Sequence, residues 1–186
     1  KVKKKKVTST ELYRLIEGSQ RFFGIINDNF TTGYPFEFIR MGRYVERADM
    51  ISRILDTLCL SYRLDQTHDF KTLEWASMLR NLSAQEAFRE QSKGEIERGS
   101  VLKFLVQNKT FPRSISTCLS QIENSVASLP NNKMMKNAVL KTINRSFAAN
   151  IDRYDDMQLH DFLQNLQKKL CDLDERIHRS WFLLHS

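Results

Sequence analysis

The sequence predicts an all-α protein, a single bundle of six to eight helices, and three observations carry that reading. Six glycines and three prolines in 186 residues leave little punctuation, which favours long helices over many short strands. Apolar residues recur at three- and four-residue steps along most of the chain. No stretch shows the strict alternation that a half-buried strand needs. A hydrophobic content of 41% fills one core, and the chain is too short for two.

The elements follow in order. Residues 1–7 are expected to be a disordered basic tail, and residues 8–186 a helical bundle domain. Thr8-Ser9-Thr10-Glu11 reads as a capping box, with a hydroxyl first and a carboxylate three positions later. It opens a strongly apolar helix through Leu12, Leu15, Ile16, Phe22, Phe23, Ile25 and Ile26, to about Phe30. Thr31 to Tyr34 is a turn, and Pro35 then suits a first helical position, where its missing N–H costs nothing.

The longest helical pattern runs from Pro35 to Leu64. Met41, Tyr44, Ala48, Ile51, Leu55, Leu58, Cys59 and Tyr62 form its apolar arc, with Glu46, Asp49, Arg53 and Asp56 read as the opposite, solvated face. Asp49 with Arg53, and Arg53 with Asp56, are spaced for weak ion pairs. A polar loop over 65–69 precedes a helix from Lys71 to Asn81, and Ser83-Ala84-Gln85-Glu86 reads as a second capping box. Gly94 to Ser100 is a loop or ragged start, with Ser100 the cap for Val101 to Gln107. Pro112 opens a helix that Pro130 stops, a further helix spans Asn131 to about Asn150, and the last runs from Asp156 to Leu184.

Charge and cysteine content exclude several classes. Lys1 and Lys3 to Lys6 supply five of the net +7, so the rest of the chain is near +2 and nucleic-acid binding is not expected. No apolar run approaches the length of a membrane span and no signal-peptide pattern opens the chain, so a cytoplasmic setting is expected. Three well-separated cysteines cannot cluster on a metal, and Cys59 and Cys118 are expected as buried free thiols. Glu175 with His178, Asp65 with His68, and Asp156 with His160 have ligand-like spacings, but no second matching pair completes a site. No metal and no cofactor is expected, and no Gly-rich phosphate loop or nucleophile elbow is present.

The run from Phe38 to Asp49, Phe-x-x-Met-Gly-Arg-Tyr-Val-Glu-Arg-Ala-Asp, resembles the signature of the bacterial alpha-E family. Glu74 to Arg80, Ala84 to Phe88, Val101 to Leu105 with Phe111-Pro112-Arg113-Ser114, and Leu159 to Leu163 resemble it too, in the same order. Family members usually carry two copies of the glycine-arginine-tyrosine-x-glutamate-arginine motif. This chain has one, and its surroundings resemble the second copy, so it reads as the C-terminal portion of such a protein or a shortened member. The resemblance implies an accessory or substrate-presenting partner of a circularly permuted ATP-grasp amide or peptide ligase, or of a transglutaminase-like protein. It leaves two alternatives open: an enzyme of that peptide-modification pathway acting on a carboxylate-bearing substrate, and a nucleic-acid-binding helical domain. If the family's halves pack on each other, a single half exposes apolar helix faces, and a homodimer is expected.

The arginines carry the site expectation. Arg43 and Arg47 stand one turn apart, and Arg113 follows a proline at a helix start. Guanidinium forks hold carboxylates and phosphates bidentately, and a helix N-terminus adds N–H donors. Glu46 is expected to orient Arg43 or Arg47, with Arg80 and Arg113 approaching the same groove and Ser114 helping to bind an anion. Asp49, Arg53 and Glu86 complete the candidate anion- or partner-binding set; the competing reading is a structural ion-pair network. No catalytic residue is assigned, and Trp75 and Phe111 are read as core.

Overall fold

The computed structural model describes residues 8–31, 33–64, 71–92 and 96–183, the side chains of 61–64 and 71 excepted. The basic tail, the 65–69 loop with its Asp65–His68 pair, Gly94 and the side chain of Tyr62 therefore lie outside the described residues. Within them are eight α-helices, one 3-10 turn and no strand. The helices are α1 (Ser9–Asn29), α2 (Tyr34–Leu64), α3 (Lys71–Asn81), α4 (Gln85–Gln91), α5 (Arg98–Gln107), α6 (Ile115–Ala127), α7 (Lys133–Ala148) and α8 (Asp156–Trp181).

The packing order closes a ring: α2 packs on α6, α6 on α7, α7 on α8, and α8 back on α2. Cross-helix contacts give the directions. Asp56 near the end of α2 meets His160 near the start of α8, while Phe38 packs against Trp181 at 5.6 Å. Arg40 near the start of α2 reaches Gln121 of α6, and Arg47 further along reaches the Pro112 carbonyl just before α6, so α2 runs antiparallel to both α8 and α6, as in an up-down-up-down four-helix bundle. Its core holds Met41, Ala48, Ile51 and Leu55 of α2 with Leu163, Leu166 and Leu170 of α8. Helices α3 to α5 bridge the end of α2 to the start of α6 and lie over that end, with Trp75 and Phe88 buried among them.

Polar side chains fix the connections. Gln107 Nε2 reaches the carbonyls of Ser146 and Ala149 at 2.8 and 2.7 Å, satisfying acceptors that the end of α7 leaves open. Arg98 donates to the Tyr154 carbonyl at 2.6 Å and to Asp156 Oδ1 at 3.0 Å, tying α5 to the start of α8. Gly99 lets α5 approach the 3-10 turn Ile151–Arg153, where an added Cβ would meet the Asp152 carbonyl oxygen at 3.2 Å.

Several local readings hold and others change. The Thr8 box forms, with Glu11 N–H to Thr8 Oγ1 at 3.3 Å and Thr8 N–H to Glu11 Oε2 at 2.8 Å. Asp155 and Gln158 make a second box at α8, which the sequence reading did not single out. The box expected at Ser83 does not form. Ser83 lies at φ 50°, its N–H bonds the Arg80 carbonyl, and the Ala84 N–H reaches the Leu79 carbonyl. This is a Schellman ending for α3, so the serine closes one helix instead of opening the next. Ser100 lies inside α5, whose first helical residue is Arg98. Pro112 and Arg113 precede α6, which Ser114 caps, and Pro35 follows Tyr34 as second residue of α2.

Asp56 is the main correction to the central helix. At 100° per residue it stands only about 60° from Met41, on the margin of the apolar arc and not opposite it. It is 6% exposed, and both its oxygens are used by α8: Oδ1 by His160 Nδ1 at 2.6 Å, Oδ2 by Gln164 Nε2 at 2.7 Å. A partner on a second face was not visible from one helix alone.

Candidate functional site

Three arginines meet where α1, α2 and the turn into α6 converge. Arg43 lies on the flank of α2, with its guanidinium 4.1 Å above the ring of Phe23 in α1. One turn later Arg47 donates from Nη1 to the Pro112 carbonyl at 3.2 Å and lies 5.4 Å from the centre of the Tyr44 ring. Arg113 extends the other way, donating from Nη1 to the Leu82 carbonyl at 2.5 Å, which joins the α3–α4 turn to the corner before α6.

Their mutual field is unfavourable. Burial, and then the neighbouring Arg47, push the Arg43 guanidinium below its ordinary range; Tyr44 opposes them in part, and Arg113 adds the smallest contribution in the lowering direction. Among the described residues none of the three joins an ion pair, although five carboxylates pair with other arginines and lysines. Their donors go to carbonyls and aromatic faces, which leave the positive charge uncompensated. Such a cluster can hold a carboxylate or phosphate; it offers neither an activated nucleophile nor a buried acid–base pair.

The corner that positions Arg113 is dense. Asn108 Oδ1 accepts from the N–H groups of Thr110 and Phe111 at 2.8 and 2.7 Å, an Asx turn that leads the chain to Pro112. Ser114 is fully buried; its Oγ bonds the Asn108 carbonyl and accepts the Thr117 N–H at 3.0 Å. The hydroxyl expected to meet an anion is thus engaged as the cap of α6.

A family described as a predicted alpha-helical domain with a conserved ER motif, Alpha-E, matches residues 1–182. The chain belongs to the Alpha-E family. No curated protein and no solved structure matches it. In this Alpha-E chain a glutamate–arginine pair stands at Glu46-Arg47 on α2, and others at Glu97-Arg98 and Glu175-Arg176. Arg47 of the first pair is the arginine that links α2 to the corner before α6.

The remaining residues expected in the Alpha-E site are more dispersed. Glu46 is exposed, and its field reaches Arg53. Asp49 pairs with Arg53 at 2.6 Å on the solvent face; that hydrogen bond, then the Asp49 charge, raises the Arg53 pKa above its ordinary value. Arg80 donates to Ser77 Oγ at 3.2 Å on α3, and Glu86 is exposed on α4. Arg43, Arg47 and Arg113 are therefore brought together, while Asp49, Arg53, Arg80 and Glu86 are not part of that cluster. Two metal-ligand spacings separate likewise: Asp156 is taken by Arg98 and His160 by Asp56, and Glu175 pairs with Arg179 instead of His178.

Sequence reasoning missed Phe23 and Asn108. From the sequence Phe23 is one apolar residue among several, and an aromatic platform depends on where α1 docks. Asn108 carried a readable signal, since Asn two residues before a threonine and four before a proline suits an Asx turn.

Proposed function

We propose that this Alpha-E chain is a non-catalytic accessory module that holds a carboxylate of a partner or peptide substrate, in a cytoplasmic ATP-grasp amide or peptide ligase system. The observation that carries the reading is the convergence of Arg43, Arg47 and Arg113, none of which joins an ion pair among the described residues. A structural ion-pair network would place opposite charges together; this cluster gathers like charges at a cost that a bound anion removes.

The neighbouring surface fits a protein partner. Leu12, Leu15, Ile16 and Phe22 of α1 are each at least half exposed, and the adjoining Phe23 carries Arg43. Apolar area continuous with a cationic cluster suits a partner that offers an apolar patch beside an acidic side chain or chain terminus. A second copy of the chain, giving a homodimer, and a transglutaminase-like protein are the competing occupants. An enzymatic role, with Glu46 and the arginines acting on a carboxylate-bearing substrate, would require turnover that Glu46→Gln abolishes in a folded protein.

The test is co-expression with a circularly permuted ATP-grasp ligase from the same genome, read by size-exclusion chromatography with light scattering. The expected result is a complex that Arg113→Ala and Arg47→Ala each weaken at least tenfold, with thermal midpoints within a few degrees of the parent. A homodimer that excludes the ligase, or a large fall in midpoint with the complex intact, would overturn it.

A further inference from the structure

We propose that the seam between α7 and α8 is a binding site for a small diphosphate ester with a planar or apolar body. It lies on a different pair of helices from the arginine cluster and does not rest on that reading.

Helix α7 carries Lys133, Lys136, Lys141 and Arg145 and no acid. Two of these cations, Lys141 and Arg145, meet Lys169 and Arg176 of α8 around a hollow of about 360 Å³ that contains one carboxylate, Asp172. Among the described residues none of the four cations joins a salt bridge or a side-chain hydrogen bond, although α8 also bears Asp161, Asp174 and Glu175. Lys141 and Arg145 are a like-charge pair one turn apart, an arrangement that weakens a helix by a few tenths of a kcal/mol. Four cations against one carboxylate leave three positive charges in excess, the complement of a diphosphate ester near neutral pH.

The hollow does not end there. Thr142, Arg145 and Lys169 are shared with a second hollow of about 610 Å³ further along the same seam. Its wall includes Tyr154 and Phe162, whose rings meet edge to face at 5.9 Å, with Gln158, Asp161 and Asn165 along the rim. Each hollow falls in the size range of small-molecule sites. An apolar wall with a few amide and carboxylate groups, opening directly onto a cationic hollow, suits a ring-bearing body whose phosphates extend toward Lys141 and Arg176.

Adenosine diphosphate and inorganic pyrophosphate serve as probes, titrated calorimetrically into the full chain at about 100 mM salt. Adenosine diphosphate is expected to bind saturably at micromolar concentration and pyrophosphate at least tenfold more weakly. Arg145→Glu, on the exposed face of α7, and Lys169→Glu, at a half-buried position of α8, should each weaken the nucleotide at least tenfold with unchanged circular dichroism. Lys103→Glu on α5, and loss of Arg113, should leave it unaffected. The proposal is overturned if neither probe saturates below millimolar, if the two bind equally, or if Lys103→Glu weakens binding as much as Arg145→Glu. A single-stranded oligonucleotide binding more tightly than the nucleotide, with a steep salt dependence, would also overturn it.

Discussion

Replacing Asp56 with alanine should loosen the closure of the bundle, because this one side chain bonds α2 to α8 twice. Each hydrogen bond to a carboxylate contributes about 1.5–3 kcal/mol. His160 is only half-buried and Gln164 is exposed, so both can turn to water after the substitution and recover part of their loss. The expected cost is therefore about 2–4 kcal/mol, near the lower end of two full bonds. For a chain of this length that corresponds to a fall in Tm of roughly 5–15 °C. Asp56→Asn keeps one acceptor and can face the unprotonated ring nitrogen of the other His160 tautomer, so it should lose less than half as much. Thermal unfolding followed by circular dichroism reads both, and a double-mutant cycle with Gln164→Ala should return a coupling above about 0.5 kcal/mol. A shift below 2 °C for Asp56→Ala, or strict additivity in the cycle, would refute the view that this contact holds the two longest helices together.

The other expectations are smaller or chemical. Ser114→Ala removes the cap of α6 and leaves the Asn108 carbonyl with the Thr117 hydroxyl, at 3.2 Å, in place of two donors, so urea unfolding should show a loss of about 1–2 kcal/mol. Ser83→Gly relieves a serine held at φ 50° and should raise the thermal midpoint by about 1–3 °C, since left-handed backbone costs an L-residue about 1–2 kcal/mol and glycine's entropy returns part of that. With a thiol reagent at pH 8, the native chain should titrate one cysteine rapidly, the exposed Cys171, and all three after denaturation. Burial pushes the Cys59 and Cys118 thiols up to about 12 from an ordinary 9.0, so the unfolded chain ionises them first. Their contribution to stability is complete below about pH 9 and is lost progressively as pH rises toward about 12, a slope that Cys59→Ala should reduce.

Helix identity was legible wherever neighbours in sequence decide it. The Thr8–Glu11 box is settled within one helix and forms as expected, and the apolar spacing from Leu159 to Ile177 is likewise a one-helix signal, although its continuation to Phe182 falls past the end of α8 on an exposed ring. What two helices decide together was not. Asp56 looked like one more charge on a solvated face until α8 supplied His160 and Gln164. Ser83 carried a cap residue's side chain in a place where the backbone needed a left-handed turn. The sequence marks α1 as strongly apolar without saying what covers it, and of its large side chains only Ile26 is buried. For the arginines, spacing placed Arg43 and Arg47 on one flank, whereas the approach of Arg113 depended on the Asn108 corner.

The pairing of α2 with the last helix has a consequence for how the protein is made. Asp56 and His160 are 104 positions apart, and a ribosome adds about 5–20 residues each second. The nascent α2 therefore waits roughly 5–20 s with its greasy flank bare before its mate emerges. Chains cut short before α8 would keep that flank uncovered for good, which marks them as natural clients for chaperones and early targets for proteolysis.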